Sequence, residues 1–376
     1  MTQTLLSQSV STNQTPSQAQ TLRDNMLMTW LDSVFDGAEF TIQSLAGDAS
    51  TRRYHRLVTD DQQRYIVMDS SEDKEAMAQF INVANLLSTA VHVPEMIAFD
   101  LAQGFLVLED FGAVEFAHLL VDADKDAIDG YYQWAMDALI DLQGISVALA
   151  QDDHKIPLYD RELLNREMDL FSDWFLPYIG APVDQKAWEG LKSWLIERIL
   201  AQPQVIVHRD YHSRNLMQNQ NDAKILGVID FQDAVIGAYT YDLVSLVRDA
   251  YIDFPEAWVD QWIADFWQKL NASKMTCAQM LADFETEVNI MGVQRHLKVL
   301  GIFVRLAKRD GKNRYLADIP KVMRDLVIEI NALMTNETQA IAPFYEWLNS
   351  SILPAFEQTF NVAIKKESSS CRSPKR

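Results

Sequence analysis

Cysteine is nearly missing: only Cys277 and Cys371 occur, one inside a helical pattern and one in a polar stretch near the end. That excludes a disulfide framework and a CxxC metal site, and it fits a reducing cytoplasm. Basic residues are also scarce. Against 53 Asp and Glu stand 33 Lys and Arg, a formal net charge of −20, and so acidic a surface repels a phosphate backbone; no nucleic-acid partner is expected. Acidity serves solubility and would also suit a cationic substrate. No apolar run reaches the ~18 residues a membrane helix needs, so no membrane partner is expected. The opening "MTQTLLSQSVSTNQTPSQAQ" has neither a basic start nor a continuous apolar segment, which argues against a signal peptide.

What is present is an ordinary folding composition, with 48% hydrophobic and 23% charged residues. Residues 1–20 are rich in Gln, Ser and Thr, too polar to offset the entropy of ordering, and are read as a tail; 363–376, ending "KKESSSCRSPKR", are read as a second, basic one. Between Glu39 and Asp110 the runs "EFTIQSLAG", "YHRLV", "RYIVMD" and "GFLVLED" are rich in β-branched and aromatic residues and punctuated by turns. One helix interrupts them, with Met77, Phe80, Ile81, Ala84 and Leu87 at helical spacing. Beyond Phe111 long amphipathic helices take over, with two short strand candidates near 205 and 225. The expected fold class is α+β: a small β-rich lobe over 21–110, five strands plus a helix, and a helical lobe over 111–362.

Within the second lobe, "VIVHRDYHSRNLM" places two histidines, two arginines, an aspartate and an asparagine directly behind an apolar run. Alternating His208, Asp210 and His212 would share one face of an extended chain, yet no second His/Cys cluster follows to complete a metal site. Arg209 and Arg214 lack the aromatic-interleaved stripe of a nucleic-acid binder. The next element supplies a third reading. "KILGVIDFQDA" is an apolar strand ending on Asp230, and a hairpin of the two strands would bring Asp210, Asn215 and Asp230 together. Phosphoryl transfer needs such a set: a carboxylate for the attacking hydroxyl and hard oxygen ligands for Mg²⁺.

HxDxHxxN, at His208, Asp210, His212 and Asn215, followed by a strand ending in an Asp, resembles the aminoglycoside phosphotransferase and choline kinase family, which has a bilobal protein-kinase-like fold. "GDASTRRYHRL", "LVLEDFG", "HRDYHSRNLM", "VIDFQDAVIGAYTYDLVSLVRDAY" and "GVQRHLKVLGIFVRLAKRDGKNRYLADIP" are more closely similar to the anomeric kinases of cell-wall amino sugars. The resemblance implies an ATP- and Mg²⁺-dependent enzyme that phosphorylates C1 of N-acetylmuramate or N-acetylglucosamine in peptidoglycan recycling, with a sugar-1-phosphate uridylyltransferase as metabolic neighbour. It further implies that Asp210 is the catalytic base, that Asn215 and Asp230 hold the metal, and that His212 meets either the γ-phosphate or the loop backbone. His208 would brace the loop, and the adenine would meet backbone groups of Glu109, Asp110 and Phe111. Arg52 and Arg53, in the loop "AGDASTRRY", would reach phosphate. Asp242 would cap its helix or brace the loop. Asp233, Arg248 and Asp249 are candidate sugar contacts, Arg248 through the muramate carboxylate. The tryptophans 174, 188, 194, 258, 262 and 267 sit at helical spacing, as core residues do.

One departure stands out. Where protein kinases carry a phosphate-binding lysine on the third strand, this strand reads "RYIVMDSS", with Met68 and Asp69 at the expected position. Either Arg52 or Arg53 supplies the charge, or the chain is a catalytically silent scaffold. A kinase of the same fold acting on an aminoglycoside, choline or homoserine is the other alternative.

Overall fold

The computed structural model describes residues 18–45, 52–70, 73–275 and 278–364. Both cysteines, the Gly47–Ser50 part of the loop before Arg52, and nearly all of the two tails lie outside these residues. Two compact units result. One runs to Ala78 and adds Glu95–Asp110; the other comprises Gln79–Pro94 and everything from Phe111.

In the first unit, β1 (Phe40–Ser44), β2 (Arg53–Thr59), β3 (Arg64–Asp69), β4 (Met96–Asp100) and β5 (Phe105–Glu109) form an antiparallel sheet in the order β1-β2-β3-β5-β4. Alternation along β2 buries His55, Leu57 and Thr59, the period of a sheet with one covered face. The cover is a helix the sequence reading did not anticipate, α1 (Gln18–Val34), which starts inside the expected tail. Leu27 and Leu31 of α1 pack with Leu57, Val67, Phe105 and Val107, and Trp30 stacks on Phe105 at 5.4 Å. Leu27, Trp30, Leu31 and Val34 follow helical spacing, but the polar stretch ahead of them masked it.

Helix α2 (Lys74–Leu87) follows β3. The expected lobe boundary at 110/111 left Gln79–Pro94 with the sheet; contacts group it with the helical unit instead. Phe80 lies 4.8 Å from Phe231, Gln79 donates to Gln232 O at 2.9 Å, and His92 meets Asn219.

The helical unit then runs through α3 (Phe116–Leu119), α4 (Lys125–Gln143), α5 (Val147–Asp152), α6 (Arg161–Leu170), α7 (Leu176–Ile179) and α8 (Gln185–Leu200). Part of the chain's acidity is spent on starting helices: Asp124, Asp160 and Asp184 each accept a first-turn N–H at 2.9–3.0 Å. After the short strands β6 (Gln204–Val207), β7 (Leu216–Gln218), β8 (Leu226–Val228) and β9 (Val235–Ala238) come α9 (Tyr241–Val247), α10 (Glu256–Ala272), α11 (Leu281–Asp310), α12 (Ile319–Asn336), α13 (Thr338–Trp347) and α14 (Leu353–Phe360). Two strands were expected here and four are found. The expected hairpin of the strands near 205 and 225 is not formed: β6 pairs with β9, and β7 with β8. Strands of three or four residues carry too little periodic signal to be separated from loops.

α9 is buried on every side, and α11 contributes seventeen buried residues. Gly301 lets α11 approach the end of α6, since a Cβ there would lie 2.3 Å from the Leu170 carbonyl. Backbone cannot yield as a side chain tip can. Gly301→Ala should therefore destabilise the protein by about 1–3 kcal/mol, against the gain of up to ~1 kcal/mol that helix propensity alone promises. Chemical denaturation reads the sign directly.

Trp188 and Trp262 are among the largest fully buried side chains, and Trp262 stacks on Tyr132 at 3.7 Å. Among the described residues no helix is long and apolar enough to cross a membrane.

Candidate active site

The loop between β6 and β7 carries His208 to Asn215, and the turn between β8 and β9 carries Asp230 to Asp233. Ladder geometry joins them. Leu216 pairs with Val228, Ile229 N–H donates to Asn215 O at 3.0 Å, and Asn215 Nδ2 lies 3.4 Å from Asp230 Oδ2. Asn215 Nδ2 also donates to Asp210 O at 3.0 Å. The structure thus brings Asp210, Asn215 and Asp230 together, through two separate two-stranded sheets.

His208 is fully buried. Its Nδ1 accepts the Asp210 N–H at 3.2 Å, so the ring proton is on Nε2, which donates to Ile229 O at 3.0 Å. Burial drives its pKa down to about 4, and the neutral ring acts as a brace between loop and turn. Beneath it, Asp242 of α9 accepts the N–H of His208 at 2.6 Å and of Arg209 at 3.0 Å. Burial, aided by the Asp210 charge, pushes the Asp242 carboxyl up to about 7 despite those two donors.

Two non-glycine residues here have left-handed backbones, Arg209 (φ 75°) and Asp230 (φ 64°). Such conformations cost on the order of 1–3 kcal/mol unless the surroundings impose them. For Arg209 they do: its guanidinium pairs with Glu167 and donates to Asp233 O at 3.2 Å. Asp is among the residues that tolerate this region best.

Burial alone would raise the Asp210 carboxyl, but nearby positive charge, that of Lys298 first and Arg295 with it, outweighs burial and holds it below the usual carboxylate range. Lys298 of α11 is the strongest of these. It is buried, donates to Tyr241 Oη at 2.9 Å and pairs with Glu167 at 3.0 Å. Replacing Lys298 by Met removes the charge that favours the carboxylate. The acidic limb of the kcat/KM profile should then move to higher pH, and an unmoved limb would count against this coupling. Lys298, Arg295 and Glu167 were not singled out from sequence, although two cations three residues apart in the apolar stretch "QRHLKVLGIF" are a signal in themselves.

His212 is half-buried. Its Nδ1 accepts the Arg214 N–H at 3.4 Å, its Nε2 lies 3.5 Å from Asn215 Nδ2, and Tyr251 packs edge-on at 5.4 Å. Asp233 is exposed.

Arg248 and Asp249, expected as sugar contacts, are committed elsewhere. Arg248 is 3% exposed and pairs with Glu256 and with Glu329. Both carboxylate oxygens of Asp249 accept backbone N–H groups, from Ser213 at 3.0 Å and Tyr251 at 2.9 Å; it braces the His208–Asn215 loop instead.

In the sheet unit, Arg53 and Asp69 face each other across β2 and β3 and form an ion pair. Arg23 of α1 reaches the same carboxylate at 2.5 Å, and Arg53 also pairs with Asp24 at 2.8 Å. Where a lysine was missing, an acid holds two arginines. Arg52 precedes β2 and is half-buried. Asp110 is buried and bound by Arg56 at 2.6 Å. Glu109 N–H donates to Glu95 O, and Phe111 O accepts from Gln220 N–H, so these two backbone groups, expected to meet adenine, are already paired. Phe111 packs where any side chain on Gly227 would clash, 2.3 Å from its ring.

Asn215 and Asp230 suit a divalent ion of the Mg²⁺ type, which takes hard oxygen donors and completes its shell with water and substrate phosphates. Among the described residues no group of three or more His, Cys, Asp or Glu could hold a metal.

Residues 41–272 match the phosphotransferase enzyme family. An N-acetylmuramate/N-acetylglucosamine kinase of Pseudomonas putida is 40% identical over 289 residues, 75% of this chain and 81% of that one. The kinase of the same name from Neisseria meningitidis serogroup B is 36% identical over 309 residues, 81% and 90% of the two chains. Among solved structures, an ADP-bound aminoglycoside phosphotransferase superposes with a TM-score of 0.55 at 12% identity, covering 83% of this chain and 99% of that one. An ethanolamine kinase of Plasmodium vivax gives 0.54 at 12%, covering 84% and 91%. These likenesses establish the protein-kinase-like α+β fold. The chain belongs to the phosphotransferase enzyme family, in the group of the N-acetylmuramate/N-acetylglucosamine kinases.

Proposed function

We propose that the protein transfers the γ-phosphate of ATP to the anomeric C1 hydroxyl of N-acetylmuramate and N-acetylglucosamine. The observation that carries this reading is the convergence of Asp210, Asn215 and Asp230 on one loop and turn, in a chain 36–40% identical to kinases named for those sugars. Asp210 holds the hydroxyl. As the sugar oxygen bonds to the γ-phosphorus, the bond from phosphorus to the β,γ-bridging oxygen breaks, ADP leaves, and the hydroxyl proton passes to the Asp210 carboxylate. A hemiacetal hydroxyl is more acidic than an ordinary alcohol, so a carboxylate held low in pKa is an adequate acceptor. Asn215 and Asp230 hold Mg²⁺, which neutralises charge on the phosphates when bound. Arg52 supplies a cation toward phosphate in place of the absent lysine, Arg53 being held by Asp69 and Asp24, His212 lies beside the metal asparagine, and Asp233 is left as a sugar contact. The product, a sugar 1-phosphate, suits a uridylyltransferase next in peptidoglycan recycling, and ATP dependence favours the cytoplasm.

The test is Mg·ATP turnover with N-acetylmuramate, N-acetylglucosamine, kanamycin, choline and homoserine, with phosphorus NMR locating the product phosphate. Phosphate at C1 of either sugar is expected. Phosphate on an antibiotic alcohol with neither sugar consumed would overturn the proposal.

A further inference from the structure

Four Lys or Arg residues are buried among the described residues: Lys192, Arg248, Arg295 and Lys298. Three have carboxylate partners, Lys192 with Asp169, Arg248 with Glu256 and Lys298 with Glu167. Arg295 is the exception. It is 5% exposed, its Nε–H donates to Ser245 Oγ at 2.6 Å, and its Nη1 has no hydrogen-bond partner and no contact with solvent. In a chain with twenty acidic residues in excess, a buried guanidinium with one neutral acceptor is anomalous, because a buried cation without a partner is strongly destabilising.

Its location says what is missing. Ser245 lies one turn beyond Asp242 on α9, the residue whose carboxylate holds the backbone of His208 and Arg209. The Arg295 charge is felt at Asp210, Asp242 and Tyr251, and Tyr251 packs on His212 and beneath Arg214. Both acids have other duties: Asp242 is occupied by two N–H groups, and Asp210 is reserved for the acceptor hydroxyl. Arg248, the arginine expected to meet a muramate carboxylate, is already neutralised by glutamates.

We propose that Arg295 is the seat of the acceptor's carboxylate, the lactyl group that N-acetylmuramate carries and N-acetylglucosamine lacks. The inference rests on the amino-sugar reading above and adds to it the residue that separates the two substrates. A planar guanidinium with free donors matches a carboxylate in two parallel hydrogen bonds, and binding repairs the unpaired Nη1.

The experiment compares kcat/KM for N-acetylmuramate, its methyl ester and N-acetylglucosamine, in the wild type, R295M and R295K. In the wild type the acid should exceed the ester by about 10- to 100-fold, the range of a charge-assisted contact. In R295M that ratio should collapse toward one, and R295K, which keeps the charge without the fork, should fall between. Any effect of Arg295 on Asp210 is common to all three substrates and cancels in the ratio. Equal use of acid and ester by the wild type would overturn the proposal without any variant, even if R295M fails to fold. So would R295M losing activity on all three substrates alike with the wild-type ratio kept. If the wild type turned over none of the three, the amino-sugar reading itself would fail, a distinct outcome.

Discussion

Asp210→Asn should lose about 10²- to 10⁴-fold in kcat, the range for removing a positioned general base, equivalent to roughly 2.7–5.5 kcal/mol of barrier. KM for the sugar should change far less, because the amide oxygen still accepts a hydrogen bond from the hydroxyl. Folding should be spared. The Asp210 carboxylate makes no hydrogen bond to another side chain among the described residues, and its backbone N–H and carbonyl contacts survive the substitution. Its charge is one of the causes that raise the Asp242 carboxyl, but it is itself favoured by Lys298 and Arg295, so neutralising it relieves a like-charge repulsion while losing attractions, and the melting temperature should stay close to that of the wild type. A variant that keeps most of its turnover would sink Asp210 as base; one that unfolds would show that the carboxylate is structural.

Asp230→Asn should cost roughly 10²-fold or more, since a Lewis-acid metal supplies several kcal/mol of charge stabilisation to phosphoryl transfer. Asn is the substitution of choice. It tolerates the left-handed backbone at this position and its side-chain oxygen still accepts from Gln232, which donates to Asp230 Oδ1 at 2.9 Å. What it lacks is the charge. The Mg²⁺ concentration giving half-maximal rate should therefore rise steeply, while the melting temperature without metal stays near wild type. An unchanged Mg²⁺ titration would exclude Asp230 as a ligand.

Legibility differed from element to element. The meeting of Asp210, Asn215 and Asp230 could be read because their residue types and short spacing point to one site, and five strands and the helix α2 could be read because their periodicities run over several residues. The helix α1 was lost behind a polar stretch, although its apolar positions follow helical spacing. The short strands β7 and β9 were missed, and with them the true pairing, because three or four residues hold too little pattern. Arg248 and Asp249 were natural sugar contacts by position, yet burial gave both of them partners. Arg295 and Lys298 sit three residues apart on α11, and only packing shows which buried cation is paired with an acid and which is not.

The sequence by itself determined the α+β class, the loop with Asp210 and Asn215, and a strand leading to Asp230, although that strand ends at Val228 and Asp230 stands in the turn after it, because these depend on periodicity and on residue type at fixed spacing along the chain. Tertiary structure alone decided how they meet: β6 pairs with β9 and β7 with β8, α9 comes up beneath the loop, and α11 brings the Lys298 charge near enough to favour the Asp210 carboxylate. Electrostatic strength depends on distance through space and on exclusion of water, and neither can be measured along the chain.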